Sequence, residues 1–260
     1  MKRISEVFSG KQKLLIGFLT VGYPDIETTL RAVSVLAASG CDIIELGIPY
    51  NDPIADGPII QNASLHALKN GVTPDLCFGI VKRLREHISV PFIFLTYYNP
   101  ILQFGEEEFC RQASDAGVDG FIIPDLPPEE GENLDLLSSK FDLALIYLLA
   151  PTSTTERIRL ATSRSRGFVY LVSLTGVTGL RDRLPSELEE FVRRVRSKTR
   201  KPLCVGFGIS SSDEARRVAK IADGVIIGSK LIELIEEDRN LEKLGAFVKE
   251  VKGILSVSTK

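Results

Sequence analysis

The sequence predicts an α/β fold, a (β/α)8 TIM barrel with a short extra helix at its N-terminus. Two observations support this prediction. Short β-branched apolar runs alternate with amphipathic segments along the 260-residue chain, and the repeat of about 30 residues is that of one strand–helix unit. A doubly wound open sheet would alternate too, but no G-x-G-x-x-G follows the first strand. Because no Gly/Ser-rich or Pro-rich linker divides the chain, residues 1–260 are expected to form one barrel domain.

The strands are predicted from apolar runs of strand length, most of which start or stop at Gly, Pro or Asp. Such runs bury both faces in a parallel sheet. Eight are present: Leu14–Thr20, Cys41–Leu46, Pro91–Thr96, Val118–Ile123, Leu143–Leu148, Phe168–Val172, Pro202–Val205 and Asp223–Ile227.

The helices are predicted from apolar residues at helical spacing together with start and stop signals. Gly40 and Gly117 end two of them, and Ser211-x-x-Glu214 forms a capping box at the start of another. A short amphipathic helix around Ile4 and Phe8 comes first, and a helical region ending near Leu255 comes last. Between them lie Asp25–Ser39, Pro74–His87, Glu106–Ala116, Glu129–Lys140, Thr154–Ser163, Pro185–Ser197 and Ser211–Lys220.

Composition excludes several classes of protein. With 44% hydrophobic residues and a net charge of −2, the chain has enough apolar residues for a large core and lacks the basic surface of a nucleic-acid binder. The four cysteines are far apart and form no CxxC pair, which favours reduced thiols over disulfides or a zinc site. No signal peptide or membrane-spanning apolar run is present. We therefore expect a cytoplasmic protein without a membrane or nucleic-acid partner.

The strongest chemical signal is a pair of acids around the second strand. Glu45 lies inside an otherwise apolar strand, where burial would raise its pKa, and Asp56 follows in the turn-rich loop after that strand. The active site of a barrel is built at the carboxyl ends of its strands, so the two carboxylates can lie close together there, one acting as general acid and the other as general base. The alternative interpretation is an ion-paired core glutamate and a turn-forming aspartate.

Other loops at the same barrel end carry weaker signals. Phe18 can line a pocket or simply fill the barrel, Tyr97 offers an apolar ring with a polar tip, and Asp125 can be catalytic or cap a helix. The long segment Ser173–Pro185 has no periodic apolar face, so it is either a lid over the barrel mouth or a surface loop.

The last two strand–helix loops favour phosphate binding. Gly206–Ser212 leads into a capped helix, and Gly228-Ser-Lys230 follows the next strand. Glycine lets backbone N–H groups approach an anion, and helix N-termini attract negative charge, so Gly208, Gly228 and Ser229 are the predicted donors. Glycines at strand ends can instead serve only tight turns. His66 and His87 form no cluster with metal-ligand spacing, and no strand lysine stands out as a Schiff-base former, so neither metal nor cofactor is expected.

Several segments, in order and spread over essentially the whole chain, resemble the tryptophan synthase α subunit. They are Glu45-Leu-Gly-Ile-Pro-Tyr-Asn-Asp-Pro-Ile-Ala-Asp-Gly-Pro58 with Ile60-Gln-Asn62, Gly17-Phe-Leu-Thr-Val-Gly22, Gly71-Val-Thr-Pro74, Tyr97-Tyr-Asn-Pro100, Pro124-Asp-Leu-Pro127, Ser173-Leu-Thr-Gly-Val-Thr-Gly179, Gly206-Phe-Gly-Ile-Ser210 and Ile227-Gly-Ser229. The resemblance implies a lyase of tryptophan biosynthesis that cleaves indole-3-glycerol phosphate to indole and D-glyceraldehyde 3-phosphate. It also implies that indole passes to a pyridoxal-phosphate-dependent β subunit in an α2β2 tetramer, while the α subunit needs no cofactor.

The resemblance assigns roles to residues by position. Glu45 corresponds to the general acid/base and Asp56 to the carboxylate that stabilises charge at the indole N–H. Thr178 corresponds to the lid residue that closes toward Asp56. The indole pocket would consist of Phe18, Ile60, Leu95, Tyr97, Tyr170 and Phe207, and the phosphate site of Gly208, Gly228 and Ser229. The β-subunit contacts would include Pro49, Asp52, Pro53, Asn99 and Pro100.

Two alternative functions agree less well with these residues. A catalytically silent barrel that only binds and activates a partner synthase could lose an acid or a phosphate glycine, whereas this chain keeps Glu45, Asp56 and Gly208. A different phosphate-binding barrel, such as an isomerase or aldolase, is disfavoured by the acid pair and by the lack of a candidate Schiff-base lysine.

Overall fold

The computed structural model describes residues 2–10, 12–172, 186–206 and 208–257. Within these ranges nine parallel strand segments follow one another around the sheet in the order β5-β4-β3-β2-β1-β9-β8-β7-β6. Helices surround this near-closed barrel, and a short helix precedes it. The predicted fold class is therefore confirmed. None of the helices in the described ranges has the length and apolarity that a bilayer crossing requires.

The strands lie where the apolar runs predict them, to within a few residues at each end. They are β1 Leu14–Thr20, β2 Ile43–Gly47, β3 Phe92–Leu95, β4 Gly120–Ile122, β5 Ala144–Ile146, β6 Leu148–Leu149, β7 Val169–Val172, β8 Leu203–Gly206 and β9 Gly224–Ile227.

The helices include two that the sequence analysis missed. They are α1 Lys2–Val7, α2 Ile26–Ser39, α3 Pro58–Lys69, α4 Pro74–Arg85, α5 Tyr98–Phe104, α6 Glu106–Ala116, α7 Glu132–Lys140, α8 Thr155–Arg164, α9 Ser186–Arg196, α10 Ser212–Ala219, α11 Ser229–Glu237 and α12 Glu242–Val257. Neither α3 nor α5 is among the predicted helices. The buried face of α3 consists of Ala63, Ser64 and Ala67, which give a weak apolar period, and α5 spans only 7 residues.

One predicted strand, Leu143–Leu148, divides into β5 and β6 at Tyr147. The backbone N–H of Tyr147 donates to Oγ of buried Ser165 at 3.0 Å instead of continuing the ladder. Its carbonyl accepts from the N–H of Tyr170 on β7 at 3.2 Å. The sheet thus continues from β4 through this kink to β7, and the eight predicted strands correspond to nine segments.

The barrel lumen is filled by inward-facing apolar side chains, and α1 covers its N-terminal end. Ile4 of α1 is buried in the same cluster as Ile16, Ile43 and Ile226, and the rings of Phe8 and Phe168 lie 5.7 Å apart. A Cβ on Gly167 would approach Ile4 to 2.8 Å, so the chain there packs closely against α1. The opposite end, formed by the carboxyl ends of the strands, is where polar groups enter the lumen.

Candidate active site

A cavity of about 350 Å³ opens at the carboxyl ends of the strands. Its wall is mainly apolar, with a few polar and charged groups, as is typical of small-molecule sites. The lining residues are Phe18, Glu45, Asp56, Gly57, Ile59, Ile60, Leu95, Tyr170, Gly208, Ile209, Ser210, Ile226, Gly228, Ser229, Lys230 and Glu233.

Glu45 lies in the middle of β2, between Phe18 of β1 and Ile93 of β3. Its side chain is fully buried, and neither carboxyl oxygen has a hydrogen-bond partner among the described residues. Burial raises the pKa of Glu45 from its ordinary 4.5 to about 8. Near neutral pH this group is therefore mostly a carboxylic acid, which can give a proton to a molecule in the cavity.

Asp56 lies in the loop between β2 and α3, directly before Gly57, the N-cap of α3. Its Oδ2 accepts a hydrogen bond from the hydroxyl of Tyr97 at 3.1 Å. Burial raises the pKa of Asp56 to about 6, and the hydrogen bond from Tyr97 opposes that increase. Near neutral pH the side chain is mostly ionised, so this pair of acids consists of one neutral carboxylic acid and one carboxylate.

Tyr170 of β7 brings a hydroxyl near these acids. Its ring is buried in the lumen, and a Cβ on Gly206 would lie 2.4 Å from its hydroxyl oxygen, so Gly206 leaves the room that the ring occupies. Burial, followed by the charges of Glu45 and Asp56, raises the pKa of Tyr170 well above its ordinary value. Tyr170 is therefore neutral at physiological pH and close to both carboxyl groups.

The N-terminus of α11 also lines the cavity, and it has no side-chain cap. Its N-cap is Gly228, and no side chain accepts a hydrogen bond from its first turn. The N-terminus of α10 is already occupied, because Oε2 of Glu214 accepts from the N–H groups of Ser210 and Ser211 at 2.8 and 3.2 Å. An anion therefore has free helix N–H groups at α11 and a competing carboxylate at α10.

The structure brings most of the sequence-predicted site residues to one cavity. Glu45, Asp56, Phe18, Ile60, Leu95, Tyr170, Gly208, Gly228 and Ser229 all line it. Tyr97 is not among the lining residues and instead holds Asp56 from behind. Phe207 and Thr178 lie outside the described residues. Asp125 accepts from the N–H of Tyr98 at 2.9 Å at the start of α5, which agrees with its interpretation as a cap.

Sequence reasoning missed several lining residues. Ile59 was not predicted because α3 was not recognised as a helix, and Glu233 was not predicted because it belongs to no motif. Its position three residues after Lys230 on α11 is the signal that could have found it. Within the described ranges no group of three or more His, Cys, Asp or Glu side chains could hold a metal ion.

Comparisons with known proteins agree with this geometry. The family model described as tryptophan synthase alpha chain matches residues 4–256. The tryptophan synthase alpha chain of Dehalococcoides mccartyi is 53% identical over 252 residues, which are 97% of this chain and 98% of that protein. The alpha chain of Aquifex aeolicus is 44% identical, over 97% of this chain and 98% of its own length.

Solved structures give the same result for the fold. A structure from Aquifex aeolicus superposes with a TM-score of 0.91 at 42% identity and covers 98% of this chain and 99% of its own. A structure of Mycobacterium tuberculosis tryptophan synthase gives a TM-score of 0.90 at 38% identity, with 98% of each chain covered. The chain therefore belongs to the tryptophan synthase alpha chain family, the lyases that cleave indole-3-glycerol phosphate and work with a β subunit.

Proposed function

We propose that the cavity at the barrel mouth is where this chain cleaves indole-3-glycerol phosphate, with Glu45 as general acid/base and Asp56 as the carboxylate that stabilises charge on the indole ring. The observation that supports this most is the fully buried carboxyl group of Glu45, which has no hydrogen-bond partner among the described residues and lines the cavity. Such a group is costly to bury, so a role toward a bound molecule accounts for it better than packing does.

The first step is proton transfer to the indole ring. Glu45, protonated near neutral pH because burial raises its pKa to about 8, gives its proton to C3 of indole. A C3–H bond forms, and the ring becomes a cation with charge at N1. The carboxylate of Asp56 accepts a hydrogen bond from N1–H and lowers the energy of this cation.

The second step is cleavage of the carbon–carbon bond. Glu45, now a carboxylate, takes the proton of the C3′ hydroxyl, and this oxygen becomes the carbonyl oxygen of the aldehyde. The C3–C3′ bond breaks, and its electron pair returns to the ring, which restores neutral indole. Glyceraldehyde 3-phosphate is the other product. Glu45 is protonated again, so one side chain serves both steps without external acid.

The remaining wall of the cavity orients the substrate. Phe18, Ile60, Leu95 and Tyr170 supply the apolar surface against which the indole ring packs, and we assign Phe207 to the same pocket by family resemblance. The N–H groups around Gly208, Gly228 and Ser229 bind the phosphate at the start of α11, where the helix dipole favours an anion. Tyr97 acts through Asp56 and does not form part of the pocket wall.

The assembly follows from family membership, and its finer details are part of the proposal. The chain pairs with a pyridoxal-phosphate-dependent β subunit as an α2β2 tetramer in the cytoplasm and needs no cofactor for its own reaction. The proposed contact face includes Asp52 and Asn99, which are exposed, and it adjoins Ile54, a residue that is 75% exposed. Pro49 and Pro53 are buried in the isolated chain and would shape this face from beneath. Thr178 is proposed to close toward Asp56.

An assay for indole tests the proposal. The full chain is incubated with indole-3-glycerol phosphate, with and without a β subunit, and indole is quantified. We expect stoichiometric indole and glyceraldehyde 3-phosphate, and faster release when the β subunit is present. If the chain raises the activity of the β subunit but releases no indole under any condition, it is a silent activating subunit and the catalytic assignment is wrong.

A further inference from the structure

Lys230 occupies a position that the cleavage steps above do not use. It is the second residue of α11, directly after Ser229, and its side chain lines the cavity. The Cα–Cβ bonds of a helix tilt toward its N-terminus, so this side chain starts out in the direction of Gly228 and the proposed phosphate. Three-quarters of the side chain is buried, with its Nζ 3.3 Å from Oε2 of Glu233.

The charges that line the cavity are unbalanced. Besides Glu45, which is mostly a neutral carboxylic acid near neutral pH, the described lining residues include two further acids, Asp56 and Glu233, and Lys230 is the one cation. A phosphate monoester adds up to two further negative charges at neutral pH. Backbone N–H groups provide only partial positive charge, which does not fully offset the repulsion between the phosphate and the acidic lining residues. An ammonium group next to the phosphate would offset the remainder.

A lysine in the first turn is also unfavourable for α11 itself. The positive end of the helix dipole stabilises acids there, and α2, α6 and α10 all carry acidic residues in their first turns. The first turn of α11 has none. The contact with Glu233, three residues along the same helix, compensates only partly because such pairs are weak when solvent reaches them. An anion bound at this helix end would interact favourably with the ammonium group and so make the lysine favourable at this position.

We propose that Lys230 binds the phosphate group of the substrate and that Glu233 holds the ammonium group at the cavity wall until the phosphate replaces it. This inference rests on the proposed function, since it names a further residue for the same site. Lys230 would act in binding and not in the proton transfers. Its removal should therefore change the KM and leave kcat nearly unaltered.

The test compares four variants of the full chain with the wild type: Lys230→Gln, Lys230→Arg, Glu233→Gln and Lys243→Gln. Lys243 is a matched control, because it contacts Glu237 at 3.4 Å but does not line the cavity. KM and kcat are measured with indole-3-glycerol phosphate, and the Kd of sn-glycerol 3-phosphate is measured by calorimetry. Both are repeated at low and high salt, and thermal melts establish that each variant is folded.

We expect Lys230→Gln to raise KM and Kd by about three- to tenfold, with kcat within about twofold of the wild type and a weaker dependence of Kd on salt. Lys230→Arg should keep values near the wild type because it keeps the charge. Glu233→Gln should lower both constants, since it removes the competing carboxylate, and Lys243→Gln should leave them unchanged.

The proposal is overturned if Lys230→Gln binds glycerol 3-phosphate as tightly as the wild type, or if its loss of affinity equals that of Lys243→Gln. An increase in Kd for Glu233→Gln would contradict the competition between Glu233 and the phosphate. The calorimetric arm separates this inference from the catalytic assignment. If the wild type releases no indole but binds glycerol 3-phosphate through Lys230, the catalytic assignment is wrong and the phosphate-binding role of Lys230 stands.

Discussion

Tyr97 donates a hydrogen bond from its hydroxyl to Oδ2 of Asp56 over 3.1 Å, and the same hydroxyl accepts from the N–H of Ala55 at 3.0 Å. The tyrosine, which is the N-cap of α5, thus connects the start of that helix to the loop that carries Asp56, and it supplies the one side-chain hydrogen bond that lowers the pKa of this carboxyl group. Its place behind Asp56, outside the cavity wall, makes it a positioning residue.

Removing this hydroxyl should shift the pH dependence of the reaction. In Tyr97→Phe the pKa of Asp56 rises further above about 6, so more of the carboxylate is protonated in mildly acidic solution. We expect activity to fall severalfold at pH 6 and the deficit to narrow toward pH 8, as measured by complete pH profiles of kcat. Tyr98→Phe is the control, because Tyr98 donates to Glu106 instead. A uniform loss across all pH values would indicate distortion of the loop.

The wild-type profile should be bell-shaped. Asp56, whose pKa is raised to about 6, must be ionised to stabilise the ring cation, so activity falls as pH decreases through that value. Glu45, whose pKa is raised to about 8, must be protonated for the first step, so activity falls as pH increases through that value. Maximal kcat is expected between these limits. An activity that keeps rising above pH 9 would show that Glu45 does not act as the acid.

Glu45→Gln should abolish cleavage, because an amide can neither give the proton to C3 nor take one from the C3′ hydroxyl. We expect kcat to fall by at least about 10³-fold, while the Kd of glycerol 3-phosphate stays within about threefold, since the phosphate end is untouched. Single-turnover assays and calorimetry measure the two quantities. An active glutamine variant would remove Glu45 from its role.

The stability of the same variant provides an independent control. The pKa of Glu45 is 4.5 ordinarily and about 8 when buried, so the folded state binds the proton more tightly than the unfolded state. The free energy of unfolding of the wild type therefore decreases as pH rises from about 4.5 to about 8. Glu45→Gln should lose this dependence and become the more stable protein above pH 8 in urea titrations.

Asp56→Asn should lower kcat by about 10²-fold, because a neutral amide stabilises the cation at N1 far less than a carboxylate does. KM should change little, since the charge develops only after binding. The loss should be the same with and without a β subunit, as steady-state assays can establish. Unchanged turnover would count against charge stabilisation by Asp56.

Gly208→Ala tests the phosphate site against a matched glycine. Gly208 has a φ of +76° and Gly71 a φ of +77°, so alanine introduces similar backbone strain at both positions. Gly71 is exposed, with open space around an added Cβ, whereas Gly208 lines the cavity. We expect Gly208→Ala to raise the KM about tenfold or more and Gly71→Ala to leave it unchanged. Equal effects of the two substitutions would place the phosphate elsewhere.

The barrel and much of its site could be predicted from the sequence because the strands are continuous apolar runs, and Glu45 stands out inside one of them. Helix α3 could not be predicted, since its buried face uses small residues and its larger apolar residues Ile59 and Ile60 line the cavity. The division between β5 and β6 depends on the side chain of Ser165, which is distant in sequence. Tyr97 lies behind Asp56 at the start of α5, and Tyr170 lies in the cavity on β7; residue type alone does not distinguish these two positions.

The short helix α1 affects the route by which substrate enters and products leave the barrel. Ile4 and its neighbours pack into the amino-terminal end of the barrel, and the ion pair between Arg3 and Asp119, at 3.0 Å, holds the helix in place. Because packed side chains close that end, the substrate must enter and both products must leave at the opposite end, where the strands have their carboxyl ends. If a β subunit covers that opposite end, as proposed above, the same contact determines whether indole passes to the partner or diffuses into water.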